Sequence, residues 1–286
     1  MPPLTRWFIR IAFLYLVVGL LLGLLLALRP ILPLPPFLTG TIPVYFHLFL
    51  VGWLTQLIFG TVFWLFPPAD PPRPELEARL GWSALLLLNA GLLFRVVGEP
   101  IVALRPGSPW GWLLVISAIC QWGAGWPTSS SSGRAPANGP RAKGGGRKQP
   151  EMPPLSVWFV RTALFYLLLG FTFGGLLLSN KGVPYAPALW RLRPLHIEIL
   201  MVGWFIQFAM GVAFWIFPRW WHEPRRGDER GAYLAYGLLN LGIWAVALPP
   251  FFGWSGVLVT IGRVVEAAAA LAFATHIWPR TVGREG

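Results

Sequence analysis

The residue types that could do chemistry are few. The chain has four histidines, His47, His196, His222 and His276, and one cysteine, Cys120. His196 stands at the head of a patterned run, followed by Gly203, Gln207 and Gly211. An α-helix advances about 100° per residue, so these positions share one face of a regular helix. Small residues along one face let a neighbouring helix, or a flat cofactor, approach closely. Imidazole ligates haem iron and glycine leaves room for the macrocycle, so the stripe could take a haem. It could equally be a packing surface, with Gln207 hydrogen-bonding across a helix interface. An ionisable residue within a membrane is a functional candidate, which brings His196 forward. Arg263 and Glu266 are spaced to pair with each other on one helix. Asn89 and Asn240 are expected to hydrogen-bond between helices. Cys120 lies in an apolar run and has no second cysteine for an intrachain disulfide. No HExxH motif, phosphate-binding loop, Cys/His zinc spacing or nucleophile elbow occurs, so the usual marks of hydrolytic and nucleotide chemistry are missing.

Long apolar elements must position these residues. Apolar residues make up 55% of the chain and charged residues only 12%, and soluble domains carry about twice that charge. Eight apolar stretches stand out, at 7–28, 44–66, 80–97, 110–126, 157–178, 195–217, 232–248 and 254–278. About 20 apolar residues cross a hydrocarbon core of about 30 Å. The expected fold is therefore all-α, a polytopic membrane protein of about eight transmembrane helices. Prolines and charges punctuate the spans, as at Pro67-Pro68, Pro218 and Pro249-Pro250. Arg6 and Arg10 precede an apolar run without a small-residue cleavage site, so an uncleaved first helix is expected.

The net charge of +12 points away from nucleic acid, because the basic residues cluster in short inter-helix loops and one linker. Lys and Arg concentrate on the side of Arg6, Arg79, Arg219, Arg226 and Arg284; Arg29, Arg95, Arg105, Lys181, Arg191 and Arg193 fall on the other. The first side is expected to be cytoplasmic in a bacterial inner membrane, with both termini inside. His47 and His196 then lie near the outer surface, and His222 and His276 near the inner one.

The chain repeats itself. Met1-Pro2-Pro3-Leu4 recurs as Met152-Pro153-Pro154-Leu155, and Trp7, Phe8, Tyr15 and Gly19 recur as Trp158, Phe159, Tyr166 and Gly170. The same offset carries Gly52, Trp53, Gln56 and Gly60 onto Gly203, Trp204, Gln207 and Gly211, and Asn89 and Gly91 onto Asn240 and Gly242. Two parallel four-helix repeats are expected, 1–127 and 152–286. Between them, 128–151 reads as a disordered basic linker rich in Ser, Gly, Pro, Lys and Arg. The match of Met152 to Met1 suggests a fusion of tandem genes with a frameshifted join; the reading frame around Trp126 tests that hypothesis. The copies differ at the histidine. Tyr45 takes the place of His196, and His47 that of Glu198. Two residues rotate about 200°, so His47 is expected off the Gly52/Gln56/Gly60 face. His276 sits too far along the membrane normal to partner His196.

The stretch Leu192-Arg193-Pro194-Leu195-His196, continuing to Trp204, Gly211 and Phe217-Pro218-Arg219, resembles the second helix of subunit I in the haem-copper oxidase superfamily. It is most similar to the C-type oxidases and nitric oxide reductases, and to NnrS-type haem membrane proteins. The resemblance implies that His196 is an axial ligand of a b-type haem near the outer surface. It implies a role in electron transfer or in haem or nitric-oxide handling, with Gly203, Gln207 and Gly211 beside the cofactor. His47 is the remaining candidate for a second metal ligand, unless another chain supplies one. A complete oxidase needs further haem and copper histidines and about twelve spans, so a stand-alone enzyme is not expected. The alternative is a cofactor-free transporter or scaffold, in which the Gly/Gln stripes pack helices and Arg263 and Glu266 line a path. Either way the expected surroundings are the lipid bilayer and another membrane subunit or a second copy, without nucleic acid.

Overall fold

A computed structural model of the chain describes residues 1–65, 74–132, 152–218 and 226–281. Every regular element among them is helical. The first half contains α1 (Pro3–Leu28), then a rod of α2 (Ile42–His47), the π-helical segment π1 (Leu48–Thr55) and α3 (Gln56–Leu65), then α4 (Pro74–Leu104) and α5 (Trp112–Ser132). The second half contains α6 (Pro154–Gly182), a rod of α7 (Leu192–Glu198), π2 (Ile199–Ile206) and α8 (Gln207–Ile216), then α9 (Arg230–Phe252) and α10 (Gly256–Thr281).

Seven helical stretches are long and apolar enough to cross a membrane, among the described residues. The stretch expected as a span at 110–126 is helical as α5, but it is not one of the seven. The closing residues of α5, 127–132, are proline and hydroxyl residues, which dilute its apolar character. The faces of α1 and α10 suit lipid. Phe13, Leu14, Leu21 and Leu24 on α1, and Val257, Ile261, Val264 and Leu271 on α10, are all exposed, as expected where hydrocarbon is the solvent.

Five helices run past their expected ends, α6 to Gly182 and α10 to Thr281 among them. Helix α4 continues beyond residue 97 through Pro100, α9 beyond 248 through Pro249 and Pro250, and α5 beyond 126 to Ser132. A proline there gives up its own i→i−4 bond, but its fixed φ is compatible with the helix, so the helix runs on where packing supports it. What stops α9 is Gly253, whose φ of 72° lies in the left-handed region and whose N–H reaches Pro249 O. The expected linker thus begins in helix. Its remainder, 133–151, lies outside the described residues, as do Phe66, Pro67, Arg219, Trp220 and His222.

The chain forms two compact units, Met1–Pro136 with Gly174–Trp190 and Ala137–Phe173 with Arg191–Gly286. Each carries the same packing device. In the first, a methyl group placed on Gly52 would lie 2.7 Å from Tyr15 Cγ, and one on Gly60 2.8 Å from Phe8 Cβ. In the second, Gly203 stands 2.7 Å from Tyr166 Cγ by the same measure, and Gly211 2.6 Å from Phe159 Cβ. Between lipid-solvated helices association rests on close packing, and glycine provides it where an aromatic ring must nest. The π-helical segments recur at the repeat offset as well, Leu48–Thr55 in one unit and Ile199–Ile206 in the other.

Candidate functional site

His196 is half-buried on α7, with Nδ1 2.9 Å from the Gly170 carbonyl of α6. That bond places the ring proton on Nδ1, because a carbonyl only accepts. Gly203 and Gly211 meet α6 too, at Tyr166 and Phe159. A projection at about 100° per residue does not hold through π2, where i→i+5 bonding turns each residue less. The contacts nonetheless bring His196, Gly203 and Gly211 against one companion helix. The glycine face is therefore occupied. Aromatic rings of α6 lie where a macrocycle would have to lie, and the face of Gly203 and Gly211 does not fit a haem.

Gln207 is fully buried between those glycines, and neither its amide nitrogen nor its oxygen has a hydrogen-bond partner. Its counterpart Gln56 is also fully buried, but its oxygen accepts from Asn89 Nδ2 at 2.9 Å. The difference lies with the asparagines. Asn240 accepts instead from the Tyr166 hydroxyl at 2.9 Å and donates to Tyr236 O. Interhelical bonding by Asn89 and Asn240 is thus present, with different partners in the two units.

Tyr45, at the position of His196, turns to α1, where its ring edge would meet a methyl group on Gly23 at 2.8 Å. His47 bonds its own helix, with Nδ1 2.8 Å from Pro43 O. His47 belongs to the first unit and His196 to the second. His276, on α10, stacks on Phe214 with ring centroids 5.5 Å apart. Among the described residues no three His, Cys, Asp or Glu side chains converge to hold a metal ion.

The second unit holds an ion cluster that the sequence shows only in part. Arg263 Nη1 donates to Glu266 Oε2 at 2.7 Å, as the spacing suggests. It also donates to Glu198 Oε1 at 3.0 Å, and Nη2 donates to Glu198 Oε2 at 2.6 Å. This is a forked guanidinium–carboxylate pair, the strong form of such a contact. Glu198 was legible only as an acid in an apolar helix, which needs a partner that sequence spacing does not name. The first unit has a second cluster: Arg95 Nη2 lies 3.0 Å from Glu99 Oε1, and Lys181 also pairs with Glu99. Glu99 is fully buried. Arg95 thus lies inside α4, and Lys181 in the last turn of α6, as ion partners rather than in loops. The Arg95/Glu99 spacing of four residues was the available signal.

Comparison with known protein families, with curated proteins and with solved structures finds no match to this chain.

Proposed function

We propose that this is a multi-pass membrane protein of two parallel four-helix repeats that works without a bound haem, as a transporter or membrane scaffold. One observation carries the reading: the glycine faces in both units are filled by tyrosine and phenylalanine side chains of a companion helix. Glycine there serves helix contact, and the polar chemistry of the second unit lies in the Glu198–Arg263–Glu266 cluster. A reduced-minus-oxidised absorbance spectrum of the purified protein, expressed with adequate haem supply, should be featureless. A haem signal that His196→Ala removes overturns the reading. In a flux assay a transporter would be sensitive to Glu266→Ala and insensitive to His196→Ala.

A second reading has His196 as an axial ligand of haem b, in an electron-transfer or haem or nitric-oxide handling protein related to oxidase subunit I. The Nδ1 bond to Gly170 favours it, since metal-ligating histidines commonly donate their other ring N–H to a carbonyl. The cofactor would have to lie off the glycine face, and another chain would complete the site. For either reading the proposed setting is a bacterial inner membrane with both termini cytoplasmic. The charge bias supports that orientation, with Arg95 an ion partner inside α4 rather than a loop cation.

A further inference from the structure

We propose that Glu266 is a proton-binding site inside the second unit, holding one exchangeable proton beside the Glu198–Arg263 pair. The proposal deepens the transport reading and rests on it only in taking α10 to lie within the membrane. Two carboxylates share one guanidinium, so the trio carries one negative charge too many when both acids are ionised. The side chains of Glu198 and Glu266 are only 5% and 10% exposed, in a span where an uncompensated charge is costly. Glu198 has both oxygens on Arg263, whereas Glu266 Oε1 is buried without a partner. The proton therefore belongs on Glu266. Among the described residues, no other charged group is paired with the trio. Helix α9 presents Gly242 to Glu266, with a methyl group there only 2.6 Å from Glu266 Cγ. The nearest titratable side chain on α9 is Tyr236, more than a turn away. From α7 the facing charge is Glu198, and from α10 itself Arg263; His276 and Arg280 lie more than two turns further along α10.

The first unit gives an independent argument. Gly91 occupies the repeat position of Gly242, and a methyl group on it would lie 2.7 Å from Gln121 Cγ and 3.0 Å from Ser117 O. On Gly242 the corresponding atoms are Glu266 Cγ and Gly262 O, at 2.6 and 3.1 Å. Gln121 is thus the structural counterpart of Glu266. It is a neutral isostere of a protonated glutamate, and it donates to Ser117 Oγ at 2.9 Å. The same niche is filled by a neutral side chain in one unit and by a titratable one in the other. Proton binding converts the Glu266 carboxylate to a carboxyl, with the proton taken from water and returned to it; Arg263, whose side chain is 53% exposed, forms the open edge of the trio.

Infrared spectra of the full chain in lipid nanodiscs, taken across pH in H2O and D2O, test the proposal. The expected result is one carboxylic-acid C=O band near neutral pH that shifts in D2O and titrates away at high pH. Glu266→Gln should remove the band, and Glu99→Gln should leave it. The Gln121 niche shows that glutamine is tolerated there, and circular dichroism checks the fold. If Glu266→Gln fails to fold, Glu198→Gln serves instead. It leaves one acid for one arginine, so Glu266 stays ionised and the band vanishes. Absence of any such band, or its persistence in Glu266→Gln, overturns the proposal. So does a Glu266-dependent thermal shift on adding sodium or potassium without the band, which would mean a bound metal cation. A haem spectrum would defeat the cofactor-free reading while leaving this result untouched.

Discussion

At the residue scale the two buried glutamines are a controlled comparison. Gln56 and Gln207 occupy the same repeat position and are both fully buried. Only Gln56 has its oxygen bonded, to Asn89. A buried polar group without a partner costs about 1–3 kcal/mol, and replacing it by an apolar group of similar shape recovers part of that. Gln207→Met is therefore expected to stabilise the protein by about 1 kcal/mol, and Gln56→Met to destabilise it by about 1 kcal/mol through loss of the Asn89 bond. Unfolding midpoints in detergent check both. A polar guest held by Gln207 would reverse the first sign. Arg263 gives a second residue-scale test. Arg263→Leu leaves Glu198 and Glu266 facing each other without a cation. The expected loss is about 2 kcal/mol, below the figure for fully buried pairs because Arg263 is half exposed.

At the element scale the helices are held by ring-into-glycine contacts and by one arginine at a helix end. Methyl groups on Gly52 and Gly203 would strike the stems of the Tyr15 and Tyr166 rings, which cannot swing aside without moving their own helices. Gly52→Ala and Gly203→Ala should each cost about 1–3 kcal/mol. Equal losses would mark the contacts as the same packing device used twice. A loss of stability at Gly203 confined to a haem-loaded form would indicate instead that the face holds a cofactor. Arg280, nearly buried on α10, ties down the C-terminal end of α8. Its Nε donates to Pro218 O at 2.9 Å, and Nη2 donates to Phe214 O and Phe217 O at 3.1 and 2.8 Å. Its guanidinium carbon also stands 5.4 Å from the Phe214 ring centroid. A helix end leaves carbonyls without intrahelical partners, and a buried guanidinium can satisfy several at once. Arg280→Ala should cost about 2 kcal/mol, and Arg280→Lys should recover only part of it, since an ammonium lacks the planar fork.

At the scale of the whole molecule the proposed orientation has a direct measurement. With Cys120→Ser as background, a cysteine at Ser108, between α4 and α5, should react with an impermeant thiol reagent from outside the cell. One at Thr281, the end of α10, should react only after the membrane is opened. The reverse pattern inverts the proposed topology. The two halves are also chemically unequal. The first keeps neutral Gln121 and Ala118 on α5, where the second has Glu266 and Arg263 on α10. The ions sit at different places in the two units, Arg95, Glu99 and Lys181 in the first and Glu198, Arg263 and Glu266 in the second, and only the second trio has an acid in excess.

Sequence alone determined the class and the skeleton. Apolar run length identifies membrane helices because the bilayer leaves the backbone no other way to satisfy its polar groups. The Gly52/Gly203 and Gly60/Gly211 matches in the sequence have a structural meaning, because both units use those glycines for the same contact. The pairing of Arg263 with Glu266 was legible because both lie on one helix within a turn. The helices run on through Pro100 and Pro249 although each proline gives up a backbone bond, because the packing around the helix, not the local sequence, decides where it ends. What fills the glycine face, which asparagine reaches which glutamine, and the capture of Arg263 by Glu198 were decided only by tertiary structure. They join residues far apart in the chain, and their geometry depends on how helices rotate against one another through the wide turns of π1 and π2, which periodicity at 3.6 residues does not encode.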